Sequence, residues 1–187
     1  GDYCCDEVLI DLLRETLSRP SKEHRVIVLH MIGSHGPTYY RRYPEKFAKF
    51  VPDCPRSDIQ NCEEAELTNT YDNTIAYTDY VLGQIIEQLS TIPNSSMLYL
   101  SDHGESLGEK GLYLHGFPYN LAPVEQTHVP MVYWASKFSQ PEYSDCVRSL
   151  SSHPYSHDNL FDTLLGLTNV QSSTYQPTQD ILRKCES

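Results

Sequence analysis

Apolar residues recur at helical spacing in three stretches of this chain and run together in three others. Leu9, Leu13 and Leu17 stand four apart, with Ile10 and Leu12 beside them, so Asp6 to Leu17 predicts an amphipathic helix closed by Pro20. Tyr71, Ile75, Val81, Leu82, Ile85, Ile86 and Leu89 keep near the 3.6-residue period and predict the longest helix over Leu67–Leu89. That helix reads as structural, covering one face of a sheet, with Tyr71-Asp72-Asn73 placed to hydrogen-bond a neighbouring loop. Leu160, Phe161, Leu164, Leu165 and Leu167 predict a third helix, with Asp158 as its cap. The continuous runs Val26–Ile32, Met97–Leu100 and Val129–Ala135 read as strands. The first is β-branched and uniformly apolar, as a strand buried in a parallel sheet is, which makes His30 a hydrogen-bonded core residue. Pro130 falls near the start of the last run, where a missing N–H is tolerated. The order helix, strand, helix, strand, strand, helix predicts an α/β fold, layered, with a largely parallel sheet and helices on both faces. No repeat or internal boundary interrupts it, so residues 1–187 are expected to form a single domain.

The chemistry-bearing residues gather at strand ends. Ser101-Asp102-His103-Gly104-Glu105 follows the run at Met97–Leu100. An Asp beside a His offers an anionic oxygen and an imidazole nitrogen, a donor pair suited to zinc. Gly104 lets the backbone turn sharply away behind them. Leu114-His115-Gly116 brings a second imidazole on a glycine-punctuated loop, and Gly33-Ser34-His35-Gly36-Pro37 a third, directly after a predicted strand. Open α/β sheets hold their ligands at the C-terminal ends of strands. A hydrogen-bonded strand-end Asp next to a surface His is the blander account, and the combined pattern favours a metal site. His128 stays open between the two, and His153 and His157 read as loop residues outside the metal set. Tyr39-Tyr40-Arg41-Arg42-Tyr43-Pro44 reads as a snorkelling surface patch, or else as a rim that meets an anionic headgroup.

Charge and cysteines narrow the setting. The 14 Lys+Arg against 25 Asp+Glu leave a formal charge of -11, which excludes the basic surface that nucleic acid requires. No apolar run approaches the length that spans a bilayer, and Gly1-Asp2-Tyr3-Cys4-Cys5 lacks the basic and apolar regions of a secretory signal. The chain is therefore expected to be processed or to be a piece of something longer. Six cysteines without a Cys-x-x-Cys pair point to disulfides in an oxidising compartment rather than to a zinc cluster. Cys54 and Cys62 bracket a short polar loop that a bridge would close, and Cys146 with Cys185 is a second expected bridge. Cys4 and Cys5 are adjacent, so at least one is expected to pair outside this chain.

Ser101-Asp102-His103-Gly104-Glu105 with Leu114-His115-Gly116 and Val129-Pro130-Met131 resembles the alkaline phosphatase and sulfatase superfamily of metal-dependent ester enzymes. Within it, the runs Leu29–Pro44, Asn69–Ile75 and Asp158–Leu167 look like the lipid A phosphoethanolamine transferases. The resemblance implies an alkaline phosphatase/sulfatase-like fold and a Zn2+ ion bound by Asp102 and His103. It implies that His35 and His115 act as catalytic residues lining the phosphate pocket, where they can hold a second metal, with Glu105 beside them. It implies phosphatidylethanolamine as donor, lipid A as acceptor, a covalent threonine intermediate and a part in polymyxin resistance. It places the protein at the periplasmic face of the bacterial inner membrane, held there by N-terminal helices absent from this chain. The family's threonine nucleophile and acidic zinc ligand match positions upstream of Asp6–Leu9, and Thr38, Thr68 and Thr70 do not stand in the nucleophile's context. The chain is thus expected to be the C-terminal part of a larger catalytic domain, poorly stable and inactive alone, with Cys4 matching a cysteine bridged upstream. A sulfatase or phosphodiesterase-type hydrolase and a non-catalytic fragment are the alternatives.

Overall fold

The computed structural model describes residues 5–185. The helices are α1 (Glu7–Ser18), α2 (Glu64–Ser90), α3 (Val124–Thr127), α4 (Pro141–Leu150) and α5 (Asp158–Leu167), and the strands β1 (Ser96–Leu100), β2 (Ser106–Leu107), β3 (Tyr113–Leu114) and β4 (Met131–Ala135). The two longest predicted helices are present within a few residues of their expected ends. A capping box starts α2, with Glu63 and Glu66 each satisfying the other's backbone N–H. α5 begins at Asp158, but His157 holds the cap position and makes no side-chain cap bond. α4 has no strong apolar period in the sequence. It starts with Pro141 in its first turn, where a missing N–H costs nothing, and it buries Tyr143 and Leu150.

The main core lies between α1 and α2. Ile10 and Leu13 meet Tyr77, Val81 and Ile85, and Tyr43 and Phe47 close the cluster from the intervening loop. Asn73, fully buried, ties that loop to α2. Its Oδ1 accepts the N–H groups of Lys49 and Phe50 at 2.8 and 2.9 Å, and its Nδ2 donates to the Phe50 carbonyl at 3.0 Å. Tyr39 and Tyr43, expected on the surface, are 1% and 7% exposed and belong to the interior. The disulfides Cys54–Cys62 and Cys146–Cys185 are both formed, the second binding α4 to the tail. Cys4 lies outside the described residues.

The described residues show the sheet only in part. Residues 26–32 pair with no strand among them. Ile27, Leu29 and Met31 pack on the α1–α2 core, while Val26, Val28 and Ile32 are 67%, 86% and 47% exposed. A run buried on both faces needs a covering layer on each side, and only one is supplied here; His30 accordingly faces outward with Val28. The ladders among the described residues are also antiparallel rather than parallel. β1 pairs with β4, Ser96 opposite Ala135 and Leu100 opposite Met131, and β2 pairs with β3. A parallel return needs a crossover long enough to carry the chain back to the far end of the sheet, usually a helix. The thirty-residue link from β1 to β4 carries no helix longer than the four-residue α3, and the two strands run antiparallel. No helix among the described residues is long and apolar enough to cross a membrane.

Candidate metal centre

The hairpin β2–β3 and the turns on either side of it bring the sequence-predicted residues together. Asp102 and His103 sit in the turn after β1, Glu105 just before β2, and His115 just after β3. Gly104 makes the turn possible: its N–H donates to the Gln126 carbonyl at 3.0 Å, and a Cβ there would strike the Glu125 carbonyl oxygen. His35 arrives from the separate loop before Tyr39.

The ligand nitrogens of His35, His103 and His115 all lie within 4.8 Å of one another. The His103 and His115 rings are 3.9 Å apart, and His35 stands 5.2 Å from His115. Asp102 is adjacent rather than central. Its Oδ2 is 3.8 Å from His103 Nε2, near enough to share an ion, but the side chain is 86% exposed and its Oδ1 accepts the His103 N–H. His128 and His153 take no part in the cluster. His157, read as a loop residue, reaches the site's backbone, with Nε2 2.9 Å from the Ser101 carbonyl. Nothing in the sequence spacing links those two positions.

Glu105 is the buried centre of the arrangement. Its Oε1 lies 3.1 Å from His115 Nδ1 and accepts the Gly36 N–H at 3.1 Å. The Tyr39 hydroxyl faces this carboxylate, yet neither it nor Oε2 closes a well-formed hydrogen bond. Burial, and after it the charge of Glu105, pushes the Tyr39 phenol far above its usual range and the Tyr71 phenol up to about 12.

These residues fit a divalent metal. A carboxylate accepting from Nδ1 leaves His115 Nε2 as the donor atom, the usual support for a metal-bound imidazole. His103 Nδ1, 2.9 Å from the Gly104 carbonyl, is held the same way. Buried carboxylate charge with an oxygen left unbonded is relieved by cationic charge nearby. Imidazole and carboxylate donors suit zinc.

A family model described as Sulfatase matches residues 1–170. The chain belongs to the sulfatase family. This sulfatase-family chain is 51% identical over 189 residues to phosphoethanolamine transferase EptA of Salmonella typhimurium, covering 97% of its own length and 34% of the relative's. It is 40% identical to phosphatidylethanolamine transferase Mcr-1 of Escherichia coli, covering 96% of itself and 33% of that protein. It therefore spans about a third of the length of these curated relatives. Among solved structures it superposes with a TM-score of 0.91 on the soluble domain of lipooligosaccharide phosphoethanolamine transferase A from Neisseria meningitidis, at 44% identity, covering 98% of this chain and 57% of that one. The C-terminal periplasmic domain of EptC from Campylobacter jejuni matches at a TM-score of 0.88 and 46% identity, covering 95% of this chain and 57% of that one. The α/β, alkaline phosphatase/sulfatase-like fold is thereby shown, with antiparallel ladders in the portion this chain contributes.

Proposed function

We propose that this chain forms the C-terminal part of the catalytic domain of a zinc-dependent phosphoethanolamine transferase. Phosphatidylethanolamine is the donor, a lipid A phosphate the acceptor, and the site works at the periplasmic face of the inner membrane. The observation that carries this reading is the convergence of His35, His103 and His115 beside buried Glu105, in a chain so similar to proteins named phosphoethanolamine transferases.

Asp102 and His103 are the zinc ligands that this chain would supply, completed by an acidic ligand upstream. When bound, zinc supplies Lewis-acid chemistry, lowering the pKa of a hydroxyl and neutralising phosphoryl charge. The remaining work belongs to side chains. An upstream threonine oxygen forms a bond to phosphorus as the bond to the diacylglycerol oxygen breaks. A lipid A phosphate oxygen then displaces that threonine, leaving phosphoethanolamine on lipid A. His35 and His115 stand where imidazoles can stabilise the phosphoryl oxygens, and one of them returns the threonine's proton to the departing diacylglycerol oxygen. Glu105 fixes which His115 nitrogen faces the pocket. His35 and His115 also offer donors for a second metal ion. The chain alone, lacking the threonine and the acidic ligand, is inactive on this reading.

Mass spectrometry of lipid A from cells making the complete protein tests it. Wild-type protein should add phosphoethanolamine and His103→Ala should abolish the addition, with a phosphoethanolamine adduct on a threonine outside this chain. Near-normal transfer by His103→Ala removes Asp102 and His103 from the site, and release of free phosphoethanolamine without lipid A modification points to a hydrolase instead.

A further inference from the structure

Of the three clustered imidazoles, His35 is the one whose ring has no hydrogen-bonding support among the described residues. His115 is held by Glu105 and His103 by the Gly104 carbonyl. The place of the His35 ring therefore depends on its backbone and on its packing against His115.

That backbone is gripped from several sides. On the C-terminal side, Gly36 donates to Glu105, and the His35 carbonyl accepts from Arg42 Nε at 2.8 Å. On the N-terminal side, the Thr74 hydroxyl on α2 lies 2.6 Å from the Ser34 hydroxyl. The remaining hold comes from Asp6, which is 7% exposed. Asp6 occupies the cap position of α1, where an aspartate ordinarily accepts an N–H from the first helical turn. It makes no such bond here; the Glu7 N–H donates to the Tyr77 hydroxyl instead. The Asp6 oxygens accept the N–H groups of Ile32 and Gly33, at 3.0 and 2.9 Å. The two adjacent N–H groups thus converge on one carboxylate, and Gly33, at a φ of +53°, takes the chain on from there in a conformation that suits glycine.

We propose that Asp6 is a positioning residue for His35: the α1 carboxylate clamps the 32–33 backbone and so places the imidazole within reach of His103 and His115. The proposal rests on the metal reading of those three histidines. It also gives the start of α1 a share in setting the affinity of the site.

The test uses the complete protein in detergent, with hydrogen-exchange mass spectrometry of the metal-free form and calorimetric zinc titration. Asp6→Asn keeps the size of the side chain but loses its charge and one acceptor. It should speed exchange in residues 32–36 and weaken zinc binding about tenfold, the lower end of what supporting residues of metal ligands contribute. Asp6→Glu, which keeps the charge but moves it by one methylene, should also speed exchange in residues 32–36 and weaken zinc binding, and it decides the matter if Asp6→Asn does not fold, wild-type behaviour overturning the proposal. Leu13→Ala loosens the packing of the same helix and should leave zinc affinity within about twofold, because it leaves the clamp intact. Zinc binding by Asp6→Asn equal to wild type overturns the proposal while leaving the metal reading in place. So does an equal loss in Leu13→Ala, which would trace the effect to stability. Zinc binding by His35→Ala equal to wild type overturns the reading of the three histidines as sharing an ion, and the proposal with it, but leaves Asp102 and His103 as zinc ligands.

Discussion

Oε1 of Glu105 lies 3.1 Å from Nδ1 of His115, and the same oxygen also accepts the Gly36 N–H. One buried atom thus links two loops that each present an imidazole. Glu105→Gln keeps the shape and an acceptor oxygen but removes the charge. Its expected effect is a loss of metal affinity of about 10–100-fold, the range typical for the partner of a ligating histidine. Zinc titration of the complete protein checks this, and an affinity equal to wild type would separate Glu105 from the site.

Gly104 stands against the Glu125 carbonyl oxygen with no room for a Cβ, and Gln126 Cα would be 3.2 Å from that atom. Both obstacles are backbone and cannot swing aside. Gly104→Ala should therefore displace the Asp102–His103 turn, at a cost of about 1–3 kcal/mol in stability, and should abolish lipid A modification in the same assay. Wild-type transfer by this variant would show that the turn can move without consequence to the site.

Much of this arrangement is legible in the sequence because it is local. The helix period from Leu67 to Leu89 and the Asp-His-Gly and His-Gly turns each record chemistry that adjacent residues settle among themselves. What was illegible depends on distant partners. Val26–Ile32 has the composition of a doubly buried strand, yet whether both faces are covered is decided by elements far from it. The antiparallel pairing of β1 with β4 follows from the path of the thirty-residue link between them, which composition does not encode. Tyr39 looked like a surface aromatic among arginines; only the approach of Glu105, 66 positions on in the chain, shows why it is inside.

Asn73 shows how much one buried amide can organise. With both Oδ1 and Nδ2 engaged by the 49–50 backbone, it joins α2 to the loop that follows Phe47. Asn73→Ala removes the side-chain partner of the part-buried Phe50 N–H and carbonyl and one of the two acceptors of the Lys49 N–H, which also bonds the Phe47 carbonyl at 2.8 Å. The expected loss is about 1–3 kcal/mol, since a group left unpaired away from water costs its desolvation. Chemical denaturation reads this directly, and a loss under about 0.5 kcal/mol, the scale of a surface change, would contradict the role given to the amide.

Alkaline pH should weaken the fold through Tyr71, whose phenol is pushed up to about 12 by burial and then by the charge of Glu105. Below about pH 10, the ordinary phenol value, the group is neutral folded or unfolded, and its stabilising preference for the folded state is fully present. As pH rises from there, the unfolded chain releases this proton while the folded protein keeps it until about 12, so unfolding gains and stability falls across that interval. Tyr43, which burial also pushes up to about 12, adds to the same decline. Tyr71→Phe removes one of these protons, so its denaturation midpoint should fall less steeply with pH above about 10 than the wild type's. Glu105→Gln, by removing a charge that helps raise the Tyr71 value, should shift the phenolate absorbance of Tyr71 to lower pH. A midpoint for Tyr71→Phe that tracks the wild type through the whole interval would show that its proton plays no part in the alkaline transition.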